Sequence, residues 1–177
     1  MERGANFLIA GPPGAGKTTV IKRLAAELGR FSPAGFVTED LRVEERRVGF
    51  LVTSLDGRAL RIPYTAASLP RRFGRYELDA SALEKFLTPI SRAEPRLILI
   101  DEIGKLDPAS THLAALIRRW LSSRAVVIAS VASEGPGLVG EVKEREDIEL
   151  YNLTHRNAER LIDDISHEVH LALGDRA

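Results

Sequence analysis

A glycine-rich segment that joins an apolar run to an amphipathic helix limits the fold of this chain more than any other feature. Residues 11–18 match the pattern G-x-x-x-x-G-K-[ST] at each position. The apolar run Phe7–Ala10 precedes this segment, and Ile21, Leu24 and Leu28 follow it at helical spacing. A strand, a glycine-rich loop and a helix in this order are typical of P-loop proteins. The segment therefore predicts an α/β fold that binds a nucleotide through its phosphates.

The residue types of this loop suit a bound phosphate chain. Glycines let successive backbone N–H groups turn inward toward the β-phosphate, and the N-terminus of the next helix attracts the same anion. The Lys17 ammonium can reach the β- and γ-phosphates, and the Thr18 hydroxyl is a ligand for Mg²⁺. We expect nucleotide contacts along the whole loop, from Gly11, Pro12, Pro13, Gly14, Ala15, Gly16, Lys17, Thr18 and Thr19.

A second candidate motif follows the apolar run Leu97–Ile100, which leads into Asp101 and Glu102. We expect this run to form a strand beside the first one, so that both carboxylates reach the nucleotide. Asp101 would then bind Mg²⁺ together with Thr18, the metal bridging β- and γ-phosphate oxygens. Glu102 would orient or deprotonate an attacking water. Since a kinase activates an acceptor hydroxyl instead of water, the adjacent glutamate favours hydrolysis of a nucleoside triphosphate.

The alternation of apolar runs and helical patterns predicts a mainly parallel sheet flanked by helices. Five parallel strands with crossover helices would make a doubly wound P-loop core, in one domain over residues 1–177. Residues from roughly 35 to 76 are rich in hairpin signals, of which Asp56-Gly57 is the strongest. We interpret this stretch as a β-hairpin insertion beside the core.

Two helix boundaries are predicted from local signals. Gly29 follows the helical pattern that reaches Leu28, and we expect it to stop that helix in a left-handed conformation. Asp107 and Pro108 are typical of a helix start, a cap followed by a first-turn proline, for the segment that ends near Trp120.

With both motifs in place, the chain resembles the small nucleoside-triphosphatase family that includes the human cancer-related nucleoside triphosphatase and homologues from thermophilic bacteria and archaea. The likeness spans nearly the whole chain. It is carried by residues 11–19, 35–42, 47–50, 74–79 and 97–105. The phosphate loop is shared with many other proteins, whereas Gly-Phe-x-Thr-x-x-x-Arg and Asp-Glu-Ile-Gly-Lys are much more particular to this family.

The resemblance implies a RecA-like P-loop fold and slow, Mg²⁺-dependent hydrolysis of nucleoside triphosphates such as ATP and GTP, with broad tolerance of the base. The chain departs from the family near the expected site. Where family members tend to carry Asn-Arg-Asp, residues 155–157 read His-Arg-Asn, so only Arg156 is kept. A histidine that is common after the fourth strand is missing between Ser130 and Ser133.

Phosphoryl transfer usually requires a cation that neutralises charge developing on the γ-phosphate. Four basic residues near the motif segments are candidates, namely Arg42, Arg47, Lys105 and Arg156. Lys105 is the best placed, just beyond Glu102 in the sequence, and we take Lys105 and Arg156 as catalytic candidates together with Lys17 and Glu102. An exposed salt bridge is the alternative interpretation of each of the four.

Composition limits the partners of the chain. Its 25 basic and 25 acidic residues give a formal net charge of zero, so no general attraction to nucleic acid or acidic membranes is expected. The strongest apolar runs are four or five residues long, far short of the about 20 that a membrane helix needs. The sequence has no cysteine, which fits a cytoplasmic protein. It leaves the oligomeric state open, with a monomer favoured.

Two other function classes stay open from the sequence. A nucleotide or small-metabolite kinase could use the same loop, with Arg71, Arg72 and Arg75 in a lid over the acceptor. A nucleotide-dependent switch would instead change shape for a partner and hydrolyse slowly by itself. An acceptor that accelerates ATP consumption would favour the kinase, and a rate that rises with a protein or nucleic acid would favour the switch.

Overall fold

A computed structural model describes residues 4–63, 80–106 and 110–174 of the chain. Its strands are β1 (Asn6–Ala10), β2 (Ala34–Val43), β3 (Arg46–Ser54), β4 (Ala59–Pro63), β5 (Leu97–Ile103), β6 (Val126–Val131) and β7 (Ile148–Asn152). Its helices are α1 (Lys17–Glu27), α2 (Ala80–Arg92), α3 (Thr111–Leu121), α4 (Leu138–Lys143) and α5 (Ala158–Leu173). None of these described helices is long and apolar enough to cross a membrane.

The described strands form one mixed sheet with the order β4-β3-β2-β5-β6-β1-β7. Strands β2, β5, β6, β1 and β7 run parallel to one another, and β3 and β4 extend one edge in antiparallel orientation. The predicted α/β class with five parallel strands is therefore confirmed. The carboxyl ends of the parallel strands share one edge of the sheet, which is where ligands of such folds bind.

The position of β5 differs from the prediction. We expected β5 beside β1, but β6 lies between them, since Ile128 pairs with Phe7 of β1 on one side and with Leu99 of β5 on the other. Every residue of β6 is buried, which suits a central strand with neighbours at both edges and helices on both faces. The order of the strands in the sequence does not give their order in the sheet, because a crossover helix can place the next strand one position further away.

The sheet separates two apolar cores. Because successive side chains of a strand point to opposite faces, each central strand contributes residues to both cores. Leu97 and Leu99 of β5 point to the face covered by α1 and α5, while Ile98 and Ile100 point to the face covered by α2, α3 and α4. All four side chains are almost completely buried. Such burial contributes about 1.5–3 kcal/mol for each side chain, so the central strands give a stable base to the side chains at their carboxyl ends.

Strand β2 belongs both to the parallel set and to the hairpin region. It pairs with β5 only over Ala34–Val37, whereas its pairing with β3 continues to Val43. The far part of this hairpin, residues 38–50, therefore extends beyond β5 at the carboxyl-end edge, and we call it the β2–β3 arm. Gly35 permits the close approach of β2 to β5, because a Cβ atom there would lie 1.8 Å from the Leu99 carbonyl oxygen.

The predicted left-handed stop at Gly29 is wrong. Helix α1 ends at Glu27 with Leu28 as its C-cap, and Gly29 instead begins a 3-10 turn. The left-handed residue comes later, at Ser32 with a φ of 50°. The chain continues from α1 directly into this 3-10 turn, so the helix ends without a left-handed glycine.

The predicted start of the third helix is also wrong. Helix α3 begins at Thr111, not after Asp107, and the Ser110 hydroxyl caps it by accepting a hydrogen bond from the Leu113 N–H at 3.2 Å. A serine in this position is a strong helix cap, so it competes well with the earlier signal. Residues 107–109 themselves lie outside the described part of the chain, as do Arg71, Arg72 and Arg75 of the kinase lid.

Candidate nucleotide site

The glycine-rich loop connects the end of β1 to the start of α1, at the carboxyl-end edge of the sheet. Gly14 and Gly16 have φ angles of 80° and 95°, a left-handed conformation that residues with a Cβ atom rarely adopt. The Ala15 N–H donates to the Pro12 carbonyl oxygen at 3.1 Å, which closes a tight turn before the helix. The first N–H groups of any α-helix lack partners within the helix, so this loop and α1 together can surround an anion.

Lys17 is the first residue of α1 and has only 8% of its surface exposed. Its Nζ donates to the Gly11 carbonyl oxygen at 2.8 Å and lies 3.4 Å from Glu102 Oε2. The ammonium is therefore held inside the loop, where a phosphate chain would bind. A phosphate there would compete with Glu102 for Lys17, and its binding would separate the ion pair.

Asp101 is fully buried, yet both of its carboxylate oxygens accept a hydrogen bond. Thr18 Oγ1 donates to Asp101 Oδ2 at 2.7 Å, and Ser130 Oγ donates to Asp101 Oδ1 at 2.5 Å. A hydroxyl and a carboxylate oxygen this close, beside a phosphate loop, are the hard oxygen donors that Mg²⁺ prefers. The described residues include no cluster of three or more acidic, histidine or cysteine side chains suited to a metal. Thr18 and Asp101 would supply two ligands, and Mg²⁺ commonly takes water and phosphate oxygens as its others.

Glu102 lies next to Asp101 and is mostly buried beside the loop lysine. Burial raises the pKa of the Glu102 carboxyl, and the negative charge of Asp101 acts in the same direction. The positive charges of Lys17 and Lys105 oppose this rise without cancelling it. A carboxylate with a raised pKa accepts a proton more readily, which suits a general base.

The two other catalytic candidates lie on different sides of the loop. Lys105 is close to Glu102, and its Nζ donates to the Thr38 carbonyl oxygen of the β2–β3 arm at 2.8 Å. Arg156 is exposed in the turn between β7 and α5, and β7 borders β1 on the side away from β5. The structure therefore groups Lys105 with Glu102 but does not group Arg156 with them. Both catalytic roles stay predictions.

Arg42 and Arg47 lie on the β2–β3 arm and share one acidic partner. Arg47 Nη2 is 2.6 Å from Asp40 Oδ2, and Arg42 Nη2 is 3.9 Å from the same oxygen. About half of each arginine side chain is exposed, 49% for Arg47 and 53% for Arg42. An exposed salt bridge, the alternative that we considered for these two arginines, describes them well.

Sequence reasoning missed a set of polar side chains that support the loop from the end of β6. Ser133 Oγ donates to the Gly11 carbonyl oxygen at 2.7 Å, so that oxygen accepts from both Ser133 and Lys17. Lys143 Nζ in turn donates to the Ser133 carbonyl oxygen at 2.6 Å. Ser130, the partner of Asp101, was also missed as a contact. A polar residue inside an otherwise apolar strand was the signal that could have revealed it.

Comparison with known proteins then decides the family. The family model described as NTPase matches residues 6–166. The chain belongs to the NTPase family. Nucleoside-triphosphatase THEP1 of Thermotoga maritima is 34% identical to it over 162 residues, which cover 90% of this chain and 92% of that protein. The human cancer-related nucleoside-triphosphatase is 32% identical over 181 residues, covering 90% of this chain and 94% of that protein.

The fold of this NTPase-family chain agrees with a solved structure of a relative. The solution structure of a human cancer-related nucleoside triphosphatase matches it with a TM-score of 0.77 and 28% sequence identity, covering 97% of this chain and 99% of that one. The family resemblance that the sequence motifs predicted is therefore confirmed. In the segment from which the histidine common in the family is missing, Ser130 contacts Asp101 and Ser133 contacts Gly11.

Proposed function

We propose that this chain is a nucleoside-triphosphatase that cleaves the bond between the β- and γ-phosphates of ATP, GTP and related nucleotides, with Mg²⁺ as cofactor. The proposal rests on one observation: two pairs of polar side chains lie together at the glycine-rich loop. Thr18 and Asp101 are 2.7 Å apart, and Lys17 and Glu102 are 3.4 Å apart. The names of the relatives, nucleoside-triphosphatases in both cases, support the activity.

In this proposal the loop, residues 11–19, binds the phosphate chain through its N–H groups and through Lys17. Thr18 Oγ1 and Asp101 hold the metal, and Ser130 keeps the Asp101 carboxylate oriented. Bound Mg²⁺ supplies positive charge that neutralises the charge developing on the phosphates. Each of these groups acts on phosphates, which all nucleoside triphosphates share, so we propose broad tolerance of the base.

The chemical step is assigned to Glu102. Once a phosphate chain draws Lys17 away, the freed carboxylate accepts a proton from a water whose oxygen attacks the γ-phosphorus. The bond from that phosphorus to the bridging oxygen breaks, and the nucleoside diphosphate leaves with the electron pair. Lys17 neutralises charge on the transferring group, and Lys105 and Arg156 are proposed to assist from the β5 side and the β7 side.

The activity itself is tested by phosphate release from ATP, GTP, CTP and UTP. We expect release from all four with Mg²⁺, and loss of activity in EDTA that either Mg²⁺ or Mn²⁺ reverses, because the oxygen donors accept both ions. The same assay with a panel of hydroxyl acceptors is expected to show no acceleration. Full activity in chelator would overturn the roles of Thr18 and Asp101, and an acceptor that multiplies ATP consumption would point to a kinase.

The support that Ser130 gives to Asp101 leads to a further prediction. We expect Ser130→Ala to raise the Mg²⁺ concentration for half-maximal activity by about 10-fold or more, the usual effect of removing a partner of a metal ligand. The matched control is Ser166→Ala, since Ser166 is also a buried serine and its hydroxyl has no partner among the described residues. An Mg²⁺ titration of both variants decides the matter, and equal shifts would mean that Ser130 does not act through Asp101.

A further inference from the structure

A groove with a volume of about 760 Å³ lies at the opposite edge of the sheet from the nucleotide site. It forms where α2 and α3 end and where β5 and β6 begin. Small-molecule sites occupy roughly 300–1,000 Å³, so the volume is that of a ligand site. Arg96 at the groove and Asp101 at the metal site are separated along an extended strand, by about 17 Å. The groove is therefore separate from the proposed active site.

Positive charge dominates the lining of this groove. Four arginines face one carboxylate, that of Glu94, although the whole chain has a formal net charge of zero. The groove arginines are Arg92, Arg96, Arg119 and Arg124. Elsewhere Arg23, Arg118 and Arg145 each pair with a carboxylate. Within the described ranges, none of the groove arginines has such a pair.

Only two of the four guanidiniums donate hydrogen bonds to carbonyl oxygens near helix ends within the described part of the chain. Arg119 Nη2 donates to the Ser91 carbonyl oxygen near the end of α2 at 2.8 Å, and Arg96 Nη2 donates to the Leu173 carbonyl oxygen at the end of α5. Such contacts complement the helix dipole and use one of the five N–H donors of an arginine. The other two make no such contact with a described residue, so helix capping does not explain them.

The floor of the groove is apolar. Ile98, Trp120 and Ala125 line it and belong to the core on the α2, α3 and α4 face. Trp120 is the single tryptophan of the chain and has 3% of its surface exposed. Because these side chains are almost completely buried, a ligand in the groove meets cationic donors at the rim and only the small exposed part of this apolar floor.

We propose that this groove binds a small phosphorylated molecule with an apolar portion. Four guanidiniums less one carboxylate leave a surplus of three positive charges, which matches the two or more negative charges of a phosphate ester or a diphosphate. Arginine is well suited to this class, because its planar guanidinium contacts two phosphate oxygens at once. The concave shape favours a small molecule over the flatter surface of an acidic protein.

Trp120 gives a signal that is specific to this groove, and phenyl phosphate is a suitable probe because it combines a phosphate with an aromatic ring. We expect a saturable change of tryptophan fluorescence with phenyl phosphate, and none with phenol or with NaCl at equal ionic strength. Arg92→Gln combined with Arg124→Gln should weaken binding by about 10-fold or more, the two changes removing charge without touching the helix-end contacts. Nucleoside triphosphate hydrolysis should stay unchanged in this double variant.

The matched control replaces two exposed arginines elsewhere, Arg61→Gln and Arg160→Gln, and should bind the probe normally. Lys17→Ala should also bind it normally at the groove, since this change is confined to the nucleotide loop. Isothermal titration covers the case of binding without a fluorescence change, by comparing Lys17→Ala with a variant that also carries Arg92→Gln and Arg124→Gln. The proposal fails if neither method detects binding, if the double variant binds as tightly as the parent, or if an acidic peptide binds the groove and phenyl phosphate does not.

Discussion

Lys17→Ala should lower kcat for every nucleoside triphosphate by at least about 10²-fold, the usual effect of removing a donor to the transition state. Lys17 is the one ammonium that the structure places inside the glycine-rich loop among the described residues, 2.8 Å from the Gly11 carbonyl oxygen. Alanine at this position leaves the backbone N–H groups of the loop in place, so part of the phosphate binding should survive. The loss should therefore be larger in kcat than in nucleotide affinity.

Lys22→Ala is the matched control for this experiment. Lys22 lies on the same helix, but its Nζ pairs with Glu39 at 2.8 Å and about half of its side chain is exposed. An exposed ion pair of this kind contributes about 0–1 kcal/mol to stability, so this variant should keep its activity. Initial rates at saturating nucleotide are the measurement. A Lys17→Ala variant that retained a tenth of the parent kcat would remove Lys17 from the role that we give it, since that loss equals only about 1.4 kcal/mol.

Much of this site could be predicted from sequence because each of its parts is local. The loop needs glycines at Gly14 and Gly16, which have left-handed φ angles, and a lysine and a threonine that begin the next helix. An apolar strand that leads into Asp101 and Glu102 is equally visible in a single stretch of sequence. Both motifs also fit parallel strands, whose carboxyl ends meet at one edge of the sheet.

The parts that sequence reasoning missed depend on which strands are neighbours. Because β6 lies between β1 and β5, Ser130 within β6 contacts Asp101 at the end of β5, and Ser133 just beyond β6 contacts Gly11 of the loop. Ser130 and Ser133 have no motif of their own, and their contacts follow only from that strand order. The same reason separates Arg156 from Glu102, since β7 is added at the far side of β1. Spacing along the chain carries no information about such distances.

The pH dependence of hydrolysis gives one test of Glu102. The carboxylate form is the active one in our proposal, so activity should fall as the pH drops through the pKa of Glu102. Burial raises that pKa, so this decline should occur at higher pH than for an exposed glutamate. This acid limb should be seen both in kcat/KM, which reports the free enzyme, and in kcat, which reports the nucleotide complex.

Glu102→Gln should lower kcat by about 10²-fold or more, the usual contribution of a general base, and should also remove that acid limb. The amide keeps the shape of the side chain but cannot take the proton of the attacking water. Affinity for ATP and Mg²⁺ should stay at or above that of the parent, because the Thr18–Asp101 pair is unchanged and Lys17 loses the ion pair that competes with the phosphates. A loss confined to kcat indicates an interaction made only in the transition state.

The same variant separates a hydrolase from a kinase. In a kinase the acceptor hydroxyl is activated by another group, so Glu102→Gln would leave transfer to the acceptor largely intact and reduce only background hydrolysis. Glu141→Gln, which removes an exposed carboxylate paired with Arg118, is the matched control and should hydrolyse ATP at the parent rate. Phosphate release at saturating ATP, measured together with ATP affinity, decides between the two. Unchanged release from Glu102→Gln would exclude Glu102 from the mechanism, and the preference for hydrolysis over phosphoryl transfer would then lose its main structural support.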